Sequence, residues 1–279
     1  MLEHRVLDYL KRKQRGTVRA VPETFSFAEI DRPLSGRLVI PGVTSEDGPG
    51  LTFAEAGNDP RVAWVPPRAS TASRNISLKS MRSTRGHMVD FARNQVLMFE
   101  SILEYLLANM LLARPDIVKI EDQPPELKFT LDGKKLRHTL DYRSSFGDGF
   151  RIGYAVKPAD MLERDQTKRK VEAMIAQHAP KFAHHMIVCT EFEITKDKGW
   201  NAFDINEARR ARNQAQCERV LERLRSIGSA IEIWRLQEMI GDESIVWNAL
   251  LCLHFDRLVQ IAKPGFRFTD AGFVRAVQK

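Results

Sequence analysis

Three short stretches carry residue types that can do chemistry together. The first is Phe99-Glu100-Ser101-Ile102-Leu103-Glu104, in which Glu100 and Glu104 stand four residues apart among apolar neighbours. On a helix this spacing puts both carboxylates on one face. A carboxylate among leucines is costly unless its edge of the helix meets solvent or a cation compensates it. The second stretch, His138-Thr139-Leu140-Asp141-Tyr142, ends a hairpin strand with an aspartate. The third, Tyr154-Ala155-Val156-Lys157-Pro158, ends the next strand with a lysine. Strand alternation points Ala155 and Lys157 to the same face.

Phosphodiester hydrolysis needs this set of groups. Carboxylates hold Mg2+, a hard cation that prefers oxygen, with Mn2+ as its substitute. The cation polarises the phosphate and lowers the pKa of a bound water. A lysine ammonium orients that water and stabilises developing negative charge. Each residue also has an ordinary reading. A helix glutamate is commonly paired, a strand-end aspartate commonly caps a turn, and a strand-end lysine commonly reaches to solvent. The order and spacing of the three favour the chemical reading.

The elements that must position these residues follow from periodicity. Residues 96–113 read as an apolar helix closed by Arg114-Pro115-Asp116, because proline lacks a backbone donor and restricts the residue before it. Residues 117–122 form a short strand. Residues 126–131 and 135–142 flank Asp132-Gly133, a hairpin turn signal. Residues 150–157 form a further strand, 161–177 a charged helix and 185–190 a buried strand. A mixed sheet with helices on its faces is expected.

Before this core, residues 1–94 hold a short amphipathic helix (2–13) and a proline-broken arm with strands near 37–40 and 62–65. Between 68 and 93 the arm carries Arg68, Arg74, Lys79, Arg82, Arg85 and Arg93 against Asp90 alone. Such a run can track a phosphate backbone. After the core, residues 199–279 read as a helix from 204 to about 226 opened by an Asp204/Glu207 capping box. Helices at 231–240 and 244–255 follow. Strands at 258–261 and 266–268 then flank Lys263-Pro264-Gly265, with a short helix at 270–277. Helix-turn-helix plus hairpin suggests a winged-helix-like domain. Its second helix opens with Asp242-Glu243-Ser244, which would repel phosphates. Protein contact is therefore expected, or DNA contact through Lys263 and Arg267.

Composition fits this picture. The 279 residues are 43% hydrophobic, enough for a packed core, and carry a net charge of +7. The pI of about 9.4 favours a polyanionic partner. Cys189, Cys217 and Cys252 form no C-x-x-C pair, so neither a zinc site nor a disulfide framework is suggested, and a reducing cytosol fits. Residues 97–113 are interrupted by Glu100, Glu104 and Asn109, which favours a buried helix over a membrane span.

Taken together, FESILEYL (99–106), IVKIEDQPPEL (117–127), HTLDY (138–142), YAVKPA (154–159) and HHMIVCTEFEIT (184–195) resemble the PD-(D/E)XK nucleases. More narrowly, they resemble the TnsA-type endonucleases of heteromeric transposases. The likeness covers about residues 95–195 and implies a restriction-endonuclease-like α/β core. It assigns Glu104, Asp141 and Lys157 as catalytic residues. The metal would be held by Glu104, Asp141 and the Val156 carbonyl. Glu100, Gln123 and His138 are further candidates, with Gln123 bracing the strand. Implied partners are double-stranded DNA, nicked at the transposon's 5′ ends, a DDE-type transposase and an ATP-dependent regulator. One position departs from the family pattern. Ala155 stands where an acidic residue or glutamine is usual. Three accounts fit: metal binding by the remaining ligands, substitution by Glu100 or Asp148, or a DNA-binding assembly subunit without activity. A stand-alone restriction or repair nuclease is a further alternative.

Overall fold

A computed structural model of the 279-residue chain describes residues 65–73, 83–262 and 265–277. The expected helix at 2–13, the strand near 37–40, residues 62–64 of the strand near 62–65, and Arg74, Lys79, Arg82 and Lys263 lie outside the described residues. All described residues belong to one compact unit. Among them, no helix is long and apolar enough to cross a membrane.

The described chain opens with a hairpin, β1 (Gly86–Asp90) and β2 (Gln95–Phe99). The expected helix from 96 is therefore corrected: it begins only at Ile102. Residues 95–99 alternate in burial and use that period of two to pair with β1. Ser101 is extended, and its hydroxyl accepts the Glu104 N–H, which starts helix α1 (Ile102–Leu112).

The central sheet has the order β3 (Ile117–Asp122), β6 (Tyr142–Phe146), β7 (Arg151–Val156), β8 (His185–Cys189). The first three strands are antiparallel, and β8 runs parallel to β7 after the crossover helix α2 (Thr167–His178). Between β3 and β6 lies a separate ribbon, β4 (Leu127–Leu131) and β5 (Lys134–His138), turning at Asp132-Gly133 as expected. Asp141 is thus not the end of a hairpin strand. It stands at the entrance to β6, a strand that the polar run Tyr142-Arg143-Ser144-Ser145 hides from a hydrophobicity reading. Its polar groups are paired across strands: Arg143 with Glu121 at 2.8 Å, and the Ser144 hydroxyl with the Tyr154 hydroxyl at 2.9 Å.

The remaining elements pack behind α1. Helix α3 (Lys196–Arg210) is capped by Thr195 and crosses α1 closely. A Cβ at Gly199 would come within 2.6 Å of Leu106, so only glycine permits this approach. The expected single helix from 204 to 226 is two helices. Asn213 caps α4 (Gln214–Ile227), while Asp204 sits inside α3 and pairs with Arg267 instead of capping. Then follow β9 (Ile231–Glu232), α5 (Ile233–Ile240), α6 (Glu243–Phe255), β10 (Val259–Ile261) and β11 (Phe273–Ala276). The last three strands form an antiparallel sheet of order β10-β11-β9. Here two expectations are corrected. The partner of β10 is 273–276 rather than 266–268, and 270–277 is not a helix, because Val274 alternates into the core against α4 while paired with Ile261. A boundary between 198 and 199 falls within α3, and one between 94 and 95 falls within the β1–β2 hairpin.

Candidate active site at one end of the central sheet

The ends of β3, β6 and β7 meet at Asp141. Its backbone N–H donates to the Tyr154 carbonyl at 2.9 Å, and its carbonyl accepts the Gln123 N–H at 2.8 Å. Both neighbours thereby extend their ladders by one rung. Leu140, just before it, lies over Gly153, where a Cβ would approach its side chain to 2.5 Å. Close packing on a glycine seats the aspartate. The Val156 N–H then donates to Asp141 Oδ2 at 2.6 Å. Asp141 Oδ1 accepts no hydrogen bond among the described residues and is not sealed from solvent.

Glu104 and Lys157 converge on this carboxyl. Burial, first, and then the negative charge of Glu104 raise the Asp141 pKa to about 8. The Val156 N–H and the Lys157 ammonium act in the opposite direction, and Glu100 adds a smaller repulsion. Asp141 lies deep in protein but keeps a strip of surface open to solvent, so burial acts on it without closing it off. Tyr142 reports the same convergence. Its phenol, donating to the Met98 carbonyl at 2.9 Å, is pushed well above its ordinary pKa by burial and by Glu104, Asp141 and Asp122.

Glu104 is itself 8% exposed and held by the start of its own helix. Oε2 accepts the Glu100 N–H at 2.7 Å, and Oε1 accepts the Ser101 hydroxyl at 2.9 Å. The expected helical pair Glu100/Glu104 is therefore corrected. Glu100 precedes the helix, and its backbone N–H donates to Glu104. Lys157 lies one residue past β7, where its N–H still bonds the Cys189 carbonyl at 3.0 Å. Its half-exposed ammonium stands 3.7 Å from Asp165, a partner that the sequence reading did not single out.

Ala155 has a setting that leaves no room for a charged side chain. It is 1% exposed, inside an apolar cluster with Leu140, Val171, Met174 and Met186. A carboxylate there would be desolvated without a partner. Asp148 does not substitute: it sits in the β6–β7 turn at the opposite end of the strands, accepting the Phe150 N–H at 2.9 Å. His138 ends β5, three residues before Asp141. Gln123 has a left-handed backbone, φ 38°, and both polar atoms of its buried side chain lack a hydrogen-bond partner among the described residues.

The expected DNA contacts divide. Arg93 is occupied inside the protein, with Asp90 at 2.6 Å and the Ile117 and Val118 carbonyls as acceptors. Arg267 pairs with Asp204 at 2.5 Å and donates to the Asn201 side chain at 2.9 Å. Arg85 donates to the Ser83 hydroxyl at 3.1 Å. Sequence reasoning also missed Asp122, which is fully buried and accepts from the Ser70 hydroxyl, the Thr71 N–H and hydroxyl, and the Met98 N–H. It clasps residues 70–71 against β2 and β3, beside the site.

Glu104 and Asp141 supply hard oxygen donors that repel one another, which is the donor chemistry of a divalent-cation site. Among the described residues, no group of three or more His, Cys, Asp or Glu side chains gathers as a metal cage. No protein-family model matches the chain, and no curated protein matches it.

Proposed function

We propose that this chain is a Mg2+-dependent endodeoxyribonuclease of the PD-(D/E)XK type, acting as the TnsA-like subunit of a heteromeric transposase that nicks DNA at transposon ends. One observation carries the reading. Glu104, Asp141 and Lys157, distant in sequence, act on one another at a single end of the sheet, where burial first and then the charge of Glu104 raise the Asp141 pKa to about 8 and favour a proton on its carboxyl. A divalent cation would replace that proton, polarise a phosphate and lower the pKa of a bound water. Asp141 and Glu104 would hold it, Asp141 through the solvent-open Oδ1. Lys157, tethered loosely to Asp165, is free to turn its ammonium towards a phosphate oxygen or the attacking water.

Further support comes from element order. Helix, three antiparallel strands, crossover helix and parallel strand is the arrangement expected of a restriction-endonuclease-like core. The succession α4, β9, α5, α6, β10, β11 supports a winged-helix-like domain. The acidic start of α6, with Asp242 and Glu243, favours a protein such as the DDE-type transposase or an ATP-dependent regulator as its partner. A second reading, a DNA-binding assembly subunit without activity, is favoured by the apolar setting of Ala155, which supplies no ligand at that position.

The decisive experiment incubates end DNA with this protein, the transposase and Mg2+. Nicking is expected with the wild type and is lost with EDTA, with Asp141→Asn and with Lys157→Ala, at unchanged circular dichroism. Nicking at wild-type rates by both variants would overturn the assignment. Wild-type protein that binds DNA but shows no Mg2+ or Mn2+ uptake by calorimetry would establish the second reading.

A further inference from the structure

The β4–β5 ribbon has two unlike faces. Leu127, Phe129 and Leu136 pack against Val171 and Met174 of α2. The Gln177 side chain pins the outer edge of β4 by bonding both the N–H and the carbonyl of Thr130 at 2.9 Å. The ribbon is thus held rigidly. Its other face exposes Lys128 and Thr130 on β4, and Lys135 and Arg137 on β5. In the register of the ribbon Lys128 lies directly opposite Arg137, and Thr130 opposite Lys135.

Like charges directly opposite each other destabilise a strand pair. Among the described residues nothing offsets this cost in full. Arg137, its side chain 74% exposed, has only Glu126 at 3.9 Å, and neither Lys128 nor Lys135 has a carboxylate partner among the described residues. Placement gives the charge a purpose. The base of the ribbon is the pair Leu127–His138, four residues after Gln123 and three before Asp141. Five residues of strand extend about 17 Å, comparable to five nucleotides of duplex rise. A two-stranded ribbon is also narrow enough to lie along the major groove.

We propose that the exposed Lys128, Lys135 and Arg137 face of this ribbon holds the phosphate backbone of duplex DNA running away from the Asp141 site. The inference rests on the nuclease reading for its substrate and adds the surface that positions it. Three phosphate contacts release counterions, so they set the salt dependence of binding rather than base preference.

The test measures binding of a fluorescent duplex to the full chain by anisotropy, without divalent cations, from 50 to 200 mM salt. Lys128→Gln/Lys135→Gln/Arg137→Gln is expected to bind more weakly and to reduce the slope of log Kd against log salt by about 2–3. Lys128→Arg/Lys135→Arg retains the wild-type slope. Because the substitutions relieve repulsion, the triple variant melts no lower than the wild type. An unchanged slope in a folded triple variant overturns the proposal, as does a loss of binding to poly-L-glutamate with none to DNA. Wild-type protein that binds but never nicks with transposase and Mg2+ removes the nuclease reading and leaves the ribbon standing. Wild-type protein that nicks while the triple variant keeps its slope removes the ribbon alone.

Discussion

The backbone N–H of Val156 donates to the Asp141 carboxylate at 2.6 Å, so the residue preceding Lys157 directly orients the acid at the head of β6. One hydrogen bond thereby links the two stretches whose chemistry is complementary. It leaves the second oxygen of Asp141 facing solvent, and it is too weak to offset burial and the charge of Glu104.

Asp141 makes stability depend on pH. Its folded pKa, about 8, lies above the ordinary carboxylate value, so the folded protein binds the extra proton. The associated stability is complete below about pH 4 and is lost progressively as pH rises to about 8. In EDTA, the melting temperature contributed by this group therefore falls from pH 5 to pH 8, and Mg2+ flattens the fall. Asp141→Asn removes the slope and raises Tm at pH 8 by about 2–4 °C per kcal/mol recovered. Calorimetry across pH showing the same slope in wild type and variant would refute this.

Glu104 and Ser101 have separable duties. Ser101→Ala removes the cap of α1 and costs about 1 kcal/mol in denaturant unfolding. Glu104→Gln keeps an acceptor for the Ser101 hydroxyl but removes the charge. The Asp141 titration, followed by carbon NMR of its carboxyl, then moves towards the ordinary range, and Mg2+ affinity falls. An unmoved Asp141 midpoint would show that the two carboxylates do not interact.

Gln123 keeps two polar atoms buried without partners among the described residues. Such atoms cost about 1–3 kcal/mol when left unpaired. Gln123→Met, similar in size and apolar, is expected to raise stability by roughly that amount while slowing end nicking, if the amide meets a ligand at the Asp141 site. Thermal unfolding and a nicking assay read both effects. A Met variant several kcal/mol less stable would contradict the idea.

Asp122 holds residues 70–71 through charge-assisted hydrogen bonds. Asp122→Asn turns an acceptor-only group into one with two donors, facing donors. A loss of roughly 2–4 kcal/mol is expected, with faster hydrogen exchange at the Thr71 and Met98 amides. Unchanged exchange at both positions would show that the clasp contributes nothing.

Much of the core was legible because its signals are local. Apolar runs mark β3, β7 and β8, Asp132-Gly133 marks the ribbon turn, and residue types pointed to Glu100, Glu104, Asp141 and Lys157, with the resemblance choosing Glu104. What stayed hidden depends on partners distant in the chain. β6 is too polar to read as a strand until Glu121 and Tyr154 satisfy its side chains. The run 95–99 becomes a strand only because β1 pairs with it. Arg93 and Arg267 look like free cations until Asp90 and Asp204 are found beside them.

The sequence by itself determined which groups were available and the period of the elements that bear them, since a side chain's type and a helix or strand repeat involve near neighbours only. Tertiary structure decided which of those groups meet. The raised pKa of Asp141, the apolar setting of Ala155 and the clasp of Asp122 all come from desolvation and Coulomb energy, which depend on distance in space and not on separation along the chain.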